Sequence, residues 1–228
     1  MIKHVFFDLD DTLLDFGKAE AAALKKALCL HGIEITPELS ARYSRINDEQ
    51  WKKLERGEMT REQVLLRRFE IFFAESGLSA DAQAVQNDYE RLLGIGHYFV
   101  DGAPELLEAL SGRYRLYIAS NGTASVQDGR IKSAGIGKYF DAVFISEHIG
   151  FNKPSREFFE ACFAQIPGLR REECIMVGDR LSSDILGGKN AGIMTCLFDP
   201  KGLPDDPDIV PDVRISSLGE LPKLLEQM

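Results

Sequence analysis

Four short polar clusters each follow a run of apolar, β-branched or aromatic residues. In the first, Asp8-Leu9-Asp10-Asp11-Thr12 comes after Val5-Phe6-Phe7. Side chains two apart, just past a strand end, can converge on one site. Two carboxylates there repel unless a cation lies between them or one holds a proton. A calcium loop does not fit: counted from Asp8, position six is Leu13 and position twelve is Ala19, where such a loop needs Gly and Glu. Capping of a helix by Asp10 or Asp11 would explain one acid and leave the other clusters unexplained. The second cluster is Ser120-Asn121-Gly122, after Leu116-Tyr117-Ile118-Ala119. A hydroxyl and exposed backbone N–H groups at a strand end can hold phosphoryl oxygens, although the tripeptide equally suits an N-capped turn. The third is Lys153-Pro154-Ser155, where Pro154 fixes a turn before a helix and Lys153 offers a point charge for phosphate; alone it is weak, because most lysines are simply solvated. The fourth is Gly178-Asp179-Arg180-Leu181-Ser182-Ser183-Asp184, after Ile175-Met176-Val177. Gly178 lets the backbone turn tightly. Asp179 stands where a metal ligand would, and Asp184 falls in the first turns of the next helix, where an acid also suits the helix dipole.

Residues 2–8 read as a buried strand that ends in these acids. Residues 17–93 are helical almost throughout. Lys18–Leu30 is rich in Ala, Leu and Lys, and Thr36-Pro37-Glu38 starts a helix with proline at its first position. Thr60-Arg61-Glu62-Gln63 is a capping box before an apolar-periodic run to Phe73, and Ser79 to Leu93 gives a further helix. From residue 103 the chain alternates: helix 103–111, strand Tyr114–Ala119, helix 123–134, strand Ala142–Ile145, helix 155–164, strand Cys174–Val177, helix 182–191, strand Ile193–Leu197, a short strand near 213–215 and helix 217–226. That alternation predicts an α/β fold whose parallel sheet is covered on both faces. The helical block between the first two strands is then an insertion over the carboxyl ends of the strands, where open α/β sheets bind ligands. Residues 199–212, rich in Pro and Asp, are expected as a loop.

The chain has 228 residues, 44% apolar and 28% charged, which suits one core domain with a smaller insert. Its net charge of −9 disfavours nonspecific binding to nucleic acid polymer or anionic membrane, so an anionic substrate must be neutralised locally. The cysteines, Cys29, Cys162, Cys174 and Cys196, form no C-x-x-C pair and no zinc spacing with histidine, which fits reduced thiols in a cytoplasmic protein. The first residues pass straight into the strand with no signal peptide, and no apolar stretch approaches a membrane span.

Taken together, the clusters resemble the four motifs of the haloacid dehalogenase (HAD) superfamily, the first in its D-x-D-x-T form and the last in its G-D-x-x-x-x-D form. Order and placement after successive strands also match, and the resemblance covers the whole chain. It implies a Rossmann-like parallel-sheet core of residues 1–15 and 101–228, with an all-helical cap of residues 16–100. Carbon–halogen dehalogenases of the superfamily lack the second acid of the first motif and its ion-pumping ATPases carry Lys there. Asp10 therefore implies phosphoryl chemistry, by a phosphatase or by a phosphomutase that passes the phosphoryl group to a substrate hydroxyl. In the implied mechanism Asp8 attacks phosphorus and Asp10 protonates the leaving alkoxide, then takes a proton from water. Mg²⁺ would be held by the carboxylates of Asp8 and Asp179 and the backbone carbonyl of Asp10, with Asp184 supporting that shell. Ser120, the N–H of Asn121 and Lys153 would hold phosphoryl oxygens, with Thr12 grouped among the phosphate contacts and steadying the loop. Ser120-Asn121-Gly122, Ile145-Ser146-Glu147, Lys153-Pro154, Asp184-Ile185-Leu186-Gly187-Gly188 and Asn190-Ala191-Gly192 also resemble the bacterial pyrimidine-type 5′-nucleotidases. This implies a nucleoside monophosphate as the small phosphorylated substrate. Sugar phosphates and a catalytically silent binding module are the other readings. Arg180 is expected to pair with a nearby acid, Trp51 to pack within the cap, and Asp15-Phe16-Gly17 with Gly94, Gly96 and Gly102 to serve as hinges or as ordinary turns.

Overall fold

Buried apolar runs on parallel strands need cover on both faces, and six such runs build the sheet in this computed structural model, which describes residues 1–202, 204 and 206–228. They are β1 (His4–Phe7), β2 (Arg115–Ser120), β3 (Ala142–Ile145), β4 (Cys174–Gly178), β5 (Met194–Phe198) and β6 (Val213–Ile215). All pairs are parallel, in the order β3-β2-β1-β4-β5-β6. The strand order reverses between β1 and β4, so the carboxyl ends of these two strands flank the crevice where such sheets bind ligands. Register does the rest. Phe7 lies opposite Ile118 on one side and Val177 on the other, which puts Asp8 beside the ends of both neighbours. The Asp8 N–H donates to the Val177 carbonyl at 2.9 Å.

Alternate β1 side chains feed two separate cores. Val5 and Phe7 join Leu116, Ile118, Ile175 and Val177 on one face. Phe6 joins Tyr117, Met176, Phe158 and Phe159 on the other. The inserted block holds four helices, α1 (Phe16–Leu30), α2 (Pro37–Glu55), α3 (Arg61–Ser76) and α4 (Ala82–Leu93). Their starts follow the sequence signals: Thr36 accepts from the Leu39 N–H, Pro37 opens α2, and Thr60 and Gln63 form a reciprocal capping box. These helices have their own core, built around Leu24, Leu28, Tyr43, Phe69, Phe72 and Tyr89. The sheet is covered by α5 (Ala103–Leu110), α6 (Ala124–Ala134), α7 (Ser146–Ile149), α8 (Arg156–Phe163), α9 (Leu186–Ala191) and α10 (Leu221–Glu226). No helix among the described residues is long and apolar enough to cross a membrane.

Two departures from the sequence reading have local causes. The expected helix 182–191 opens with a π-helical turn, Leu181–Ile185, because the N–H groups of both Asp184 and Ile185 reach the Arg180 carbonyl. Such wide turns re-aim side chains at functional sites. The expected helix 217–226 starts as a 3₁₀ turn, Leu218–Glu220, where Ser217 and Glu220 cap each other. Part of the expected 199–212 loop, Leu203 and Asp205, lies outside the described residues. The insert meets the core at glycines: a Cβ on Gly129 of α6 would stand 2.4 Å from the Gly94 carbonyl oxygen at the end of α4. Only a glycine allows that approach.

Candidate active site

Parallel strands deliver the four clusters to one edge of the sheet, and the side chains meet there. Lys153 is 1% exposed, and its Nζ donates to Asp8 Oδ1 at 2.7 Å and to Asp184 Oδ1 at 2.6 Å. Asp8, Asp179 and Asp184 bring one carboxylate oxygen each within 4.8 Å of one another. The π-helical turn explains the position of Asp184, whose second oxygen accepts the Arg180 N–H at 3.0 Å. Gly178 makes room for it, since a Cβ there would lie 2.3 Å from Asp184 Oδ2.

One ammonium cannot balance three crowded carboxylates. Burial pushes Asp8 up to about 7, against the pull of Lys153 and with the help of the charges on Asp184 and Asp10. Burial, then Asp184 and Asp8, hold Asp179 well above the usual carboxylate range. Burial alone would lower Lys153, but Asp184 and Asp8 more than reverse it, so the ammonium stays charged. The remaining negative charge and the all-oxygen donor set fit a hard dication such as Mg²⁺.

The other expected residues converge less directly. Asp10 opens onto the same space, but its carboxylate is engaged by Arg130 Nη1 and by Gln127 Nε2, the latter at 2.6 Å. Gln127 also donates to Ser120 Oγ at 2.8 Å, and the Gly122 N–H does so at 3.1 Å. The Ser120 hydroxyl therefore has its proton left for a ligand oxygen. Asn121 uses its side chain on Lys153: its Nδ2 donates to the Lys153 carbonyl and its Oδ1 accepts the Lys153 N–H, both at 2.8 Å. That double bond fixes the segment carrying the ammonium. Thr12, which the sequence groups with the phosphate contacts, is fully buried and its hydroxyl donates to Asp179 Oδ1 at 3.4 Å. Its local job is to hold the Asp179 carboxylate. Asp11, in the left-handed region with φ 58°, accepts the Phe16 N–H at 2.8 Å and tethers the start of α1.

Above these residues is a cavity of about 410 Å³, floored by Asp8, Ser120 and Lys153 and roofed by the inserted helices. The roof holds a buried polar chain. Arg68 donates to Asn47 Oδ1 at 2.9 Å and to Gln86 Oε1 at 2.7 Å, and Asn47 Nδ2 donates to Glu20 Oε1 at 2.8 Å. Trp51, expected to pack, also lines the cavity and donates its indole N–H to Asn47 at 3.1 Å. Arg180 does pair with an acid, Asp48 at 3.2 Å, across on α2. Sequence reading missed Gln127, Arg130, Arg61 and the roof. The available signal for the first two was polarity on a buried helix face, since Gln127 and Arg130 share the inward side of α6 with Ala124 and Ile131.

A parallel sheet in this order, with an acid pair after β1, a buried lysine and two more acids after β4, marks a hydrolase of the Rossmann-like α/β class. The chain belongs to the haloacid dehalogenase-like hydrolases, whose family pattern matches residues 2–192, and it is a phosphatase-type member. It is similar to the HAD-hydrolase YfnB of Bacillus subtilis (strain 168), 38% identical over 98% of this chain and 95% of that one. The crystal structure of YfnB bound to magnesium superposes with a TM-score of 0.94 over 98% of each chain, at 38% identity. It is also similar to the pyrimidine 5′-nucleotidase PynA of Streptococcus pneumoniae (strain ATCC BAA-255 / R6), at 35% identity over 99% of this chain and 95% of that one. The pyrimidine 5′-nucleotidase YjjG of Escherichia coli (strain K12) is 32% identical over 97% of this chain and 96% of its own.

Proposed function

We propose that the chain is a Mg²⁺-dependent phosphomonoester hydrolase that works through an aspartyl-phosphate on Asp8 and takes pyrimidine nucleoside 5′-monophosphates. The observation that carries this reading is the buried Lys153 bridging Asp8 and Asp184, with Asp179 in the same carboxylate cluster, at the floor of the cavity beneath the inserted helices. Asp8 Oδ attacks phosphorus in line with the leaving oxygen. Lys153 and the Ser120 hydroxyl hold phosphoryl oxygens, together with the backbone N–H of Asn121. Asp10, whose side chain is 30% exposed, gives a proton to the leaving oxygen and then takes one from water. Asp8 and Asp179, with the Asp10 carbonyl and Asp184 in support, would hold Mg²⁺. When bound, the ion screens Asp8 from the anionic ester and stabilises charge on the transferring group. Residues 16–100 act as a cap on the core of residues 1–15 and 101–228.

The nucleotide assignment draws on the two nucleotidase relatives and on the roof. Amides, an indole and a guanidinium suit the hydrogen-bonding edge and flat face of a pyrimidine better than they suit a small flexible sugar. The test is phosphate release from a panel of nucleoside monophosphates and sugar phosphates, with Mg²⁺ and then with chelator. Selective, metal-dependent release from pyrimidine nucleotides is expected. Release from sugar phosphates alone would discard the substrate and keep the chemistry, while an isomerised ester in place of free phosphate would make the enzyme a mutase.

A second expectation concerns pH. Asp8 is raised to about 7, so below that value a proton competes with the cation for the same oxygen. Mg²⁺ affinity should therefore climb as pH rises and Asp8 and Asp179 give up their protons. Calorimetric titration across this range checks it, and an affinity that is flat or falls with pH contradicts the carboxylate site.

A further inference from the structure

The most heavily engaged side chain between the inserted helices and the core is a residue that the sequence presents only as part of a capping box. Arg61 is the first residue of α3, and its guanidinium leaves the insert and enters the core. Nη1 donates to the carbonyls of Asn121 and Gly122, both at 2.8 Å. Nη2 donates to Ser146 Oγ at 2.6 Å and to Asn152 Oδ1 at 3.1 Å. The ring of Trp51 on α2 lies against its other side, 5.6 Å from the guanidinium carbon. The fork thus ties together three core segments: the turn after β2, the start of α7 and the loop that leads into Lys153.

Two of these segments, the turn after β2 and the loop before Lys153, support the floor of the cavity. The peptide whose carbonyl is Asn121 O has as its N–H the Gly122 N–H, which donates to Ser120 Oγ. Polarising that carbonyl strengthens the N–H on the same peptide and makes the Ser120 hydroxyl a better donor in turn. Asn121 also holds Lys153 through both ends of its amide. Asn152 immediately precedes Lys153, so the Nη2 bond restrains the same loop from the other side.

Resting on the reading of Asp8 as a phosphate-ester nucleophile, we propose that Arg61 is a positioning residue that makes assembly of the phosphate-holding turn conditional on docking of the inserted helices. With the helices docked, Ser120, Asn121 and Lys153 are fixed for an oxyanion. With them displaced, the carbonyls of Asn121 and Gly122 lose their donor and the turn loosens. A substrate large enough to hold the roof down thereby organises the floor that its phosphate meets.

The test compares wild type with Arg61→Ala and Arg61→Lys, in Mg²⁺. An alanine is well tolerated at the first position of a helix, so the fold should survive, and thermal unfolding checks that it does. Two esters are used, a pyrimidine nucleotide and phenyl phosphate, which is too small to span the cavity. Inorganic phosphate binding is read in parallel from the fluorescence of Trp51, the chain's single tryptophan. Arg61→Ala should lower kcat/KM by about 10²-fold for both esters alike, the scale of a misplaced catalytic group. It should also weaken phosphate binding, and free guanidinium ion should recover part of both losses. Arg61→Lys should fall between, because one ammonium cannot fork across three segments. A loss confined to the nucleotide, with phenyl phosphate and phosphate binding unchanged, would overturn the proposal and leave Arg61 as a wall of the roof. Wild-type behaviour in Arg61→Ala would overturn it outright. If wild type releases phosphate from neither ester, the nucleophile reading fails by itself, and the phosphate-binding comparison still decides whether Arg61 organises the turn.

Discussion

Asp8→Asn should give a folded protein that releases no phosphate. The amide keeps the shape of the side chain and its oxygen can still accept from Lys153, but it has no anionic oxygen to form an acyl-phosphate bond. Loss of a covalent nucleophile costs at least about 10⁴-fold in kcat. The accompanying stability change has a definite sign. The folded-state value of Asp8, about 7, lies above its ordinary value of 3.8. Stability from this group is therefore complete below about 4 and lost as pH rises through about 7, so at neutral pH without metal its charge opposes folding. Asparagine removes that charge. In chelator the variant should unfold at the same temperature as wild type or higher, and the rise in unfolding temperature on adding Mg²⁺ should shrink, because one ligand is gone. Phosphate release and thermal unfolding, each with and without Mg²⁺, make the measurement. Activity within tenfold of wild type would remove Asp8 from the chemistry. A sharp fall in the metal-free unfolding temperature would show that Asp8 and Lys153 form a net stabilising pair and that the cluster needs no dication.

The part of this site that could be read from the sequence is the part built from local segments. Asp8, Ser120, Lys153 and Asp179 each sit at or just after a predicted strand or before a predicted helix, and Asp184 sits in the first turn of one. A parallel sheet sends all such ends to one edge, so the residues converge whatever the detailed packing. The α/β class and the helix starts at Thr36 and Thr60 were legible for the same reason, because caps and turns are set by residues three or four apart. What escaped depends on how one helix is rotated against another. Gln127 and Arg130 reach Asp10 from 117 and 120 residues away, and nothing near Asp10 announces them. Arg61 lies 60 residues from Asn121 and 91 from Asn152. The roof joins α1, α2, α3 and α4 through Glu20, Asn47, Arg68 and Gln86, a set that no single segment displays. Thr12 was legible as part of a motif, but not as the partner of Asp179, since that bond crosses from β1 to β4.

Lys153→Met should be the most destabilising single change at the floor, and the reason is charge rather than volume. The thioether fills nearly the same space as the aliphatic stem. It leaves Asp8, Asp179 and Asp184, with oxygens within 4.8 Å of one another, without the ammonium that bridges two of them. Removing one partner from a buried ion pair costs about 3–5 kcal/mol. For a chain of this size that lowers the unfolding temperature by roughly 10 °C in chelator at neutral pH. Two further measurements separate charge from packing. Adding Asp184→Asn to Lys153→Met removes one of the repelling acids and should recover part of the loss, a coupling that a packing defect would not show. Adding Mg²⁺ should stabilise Lys153→Met by more than it stabilises wild type, because the dication then stands in for the lost ammonium. Turnover should still fall by about 10²–10³-fold, the usual result of losing an oxyanion donor, so metal restores the fold without restoring the chemistry. If Lys153→Met in chelator unfolds with wild type, the acids are already neutral in the folded chain. The crowding that favours a dication would then be absent, and with it the physical case for Mg²⁺ at this site.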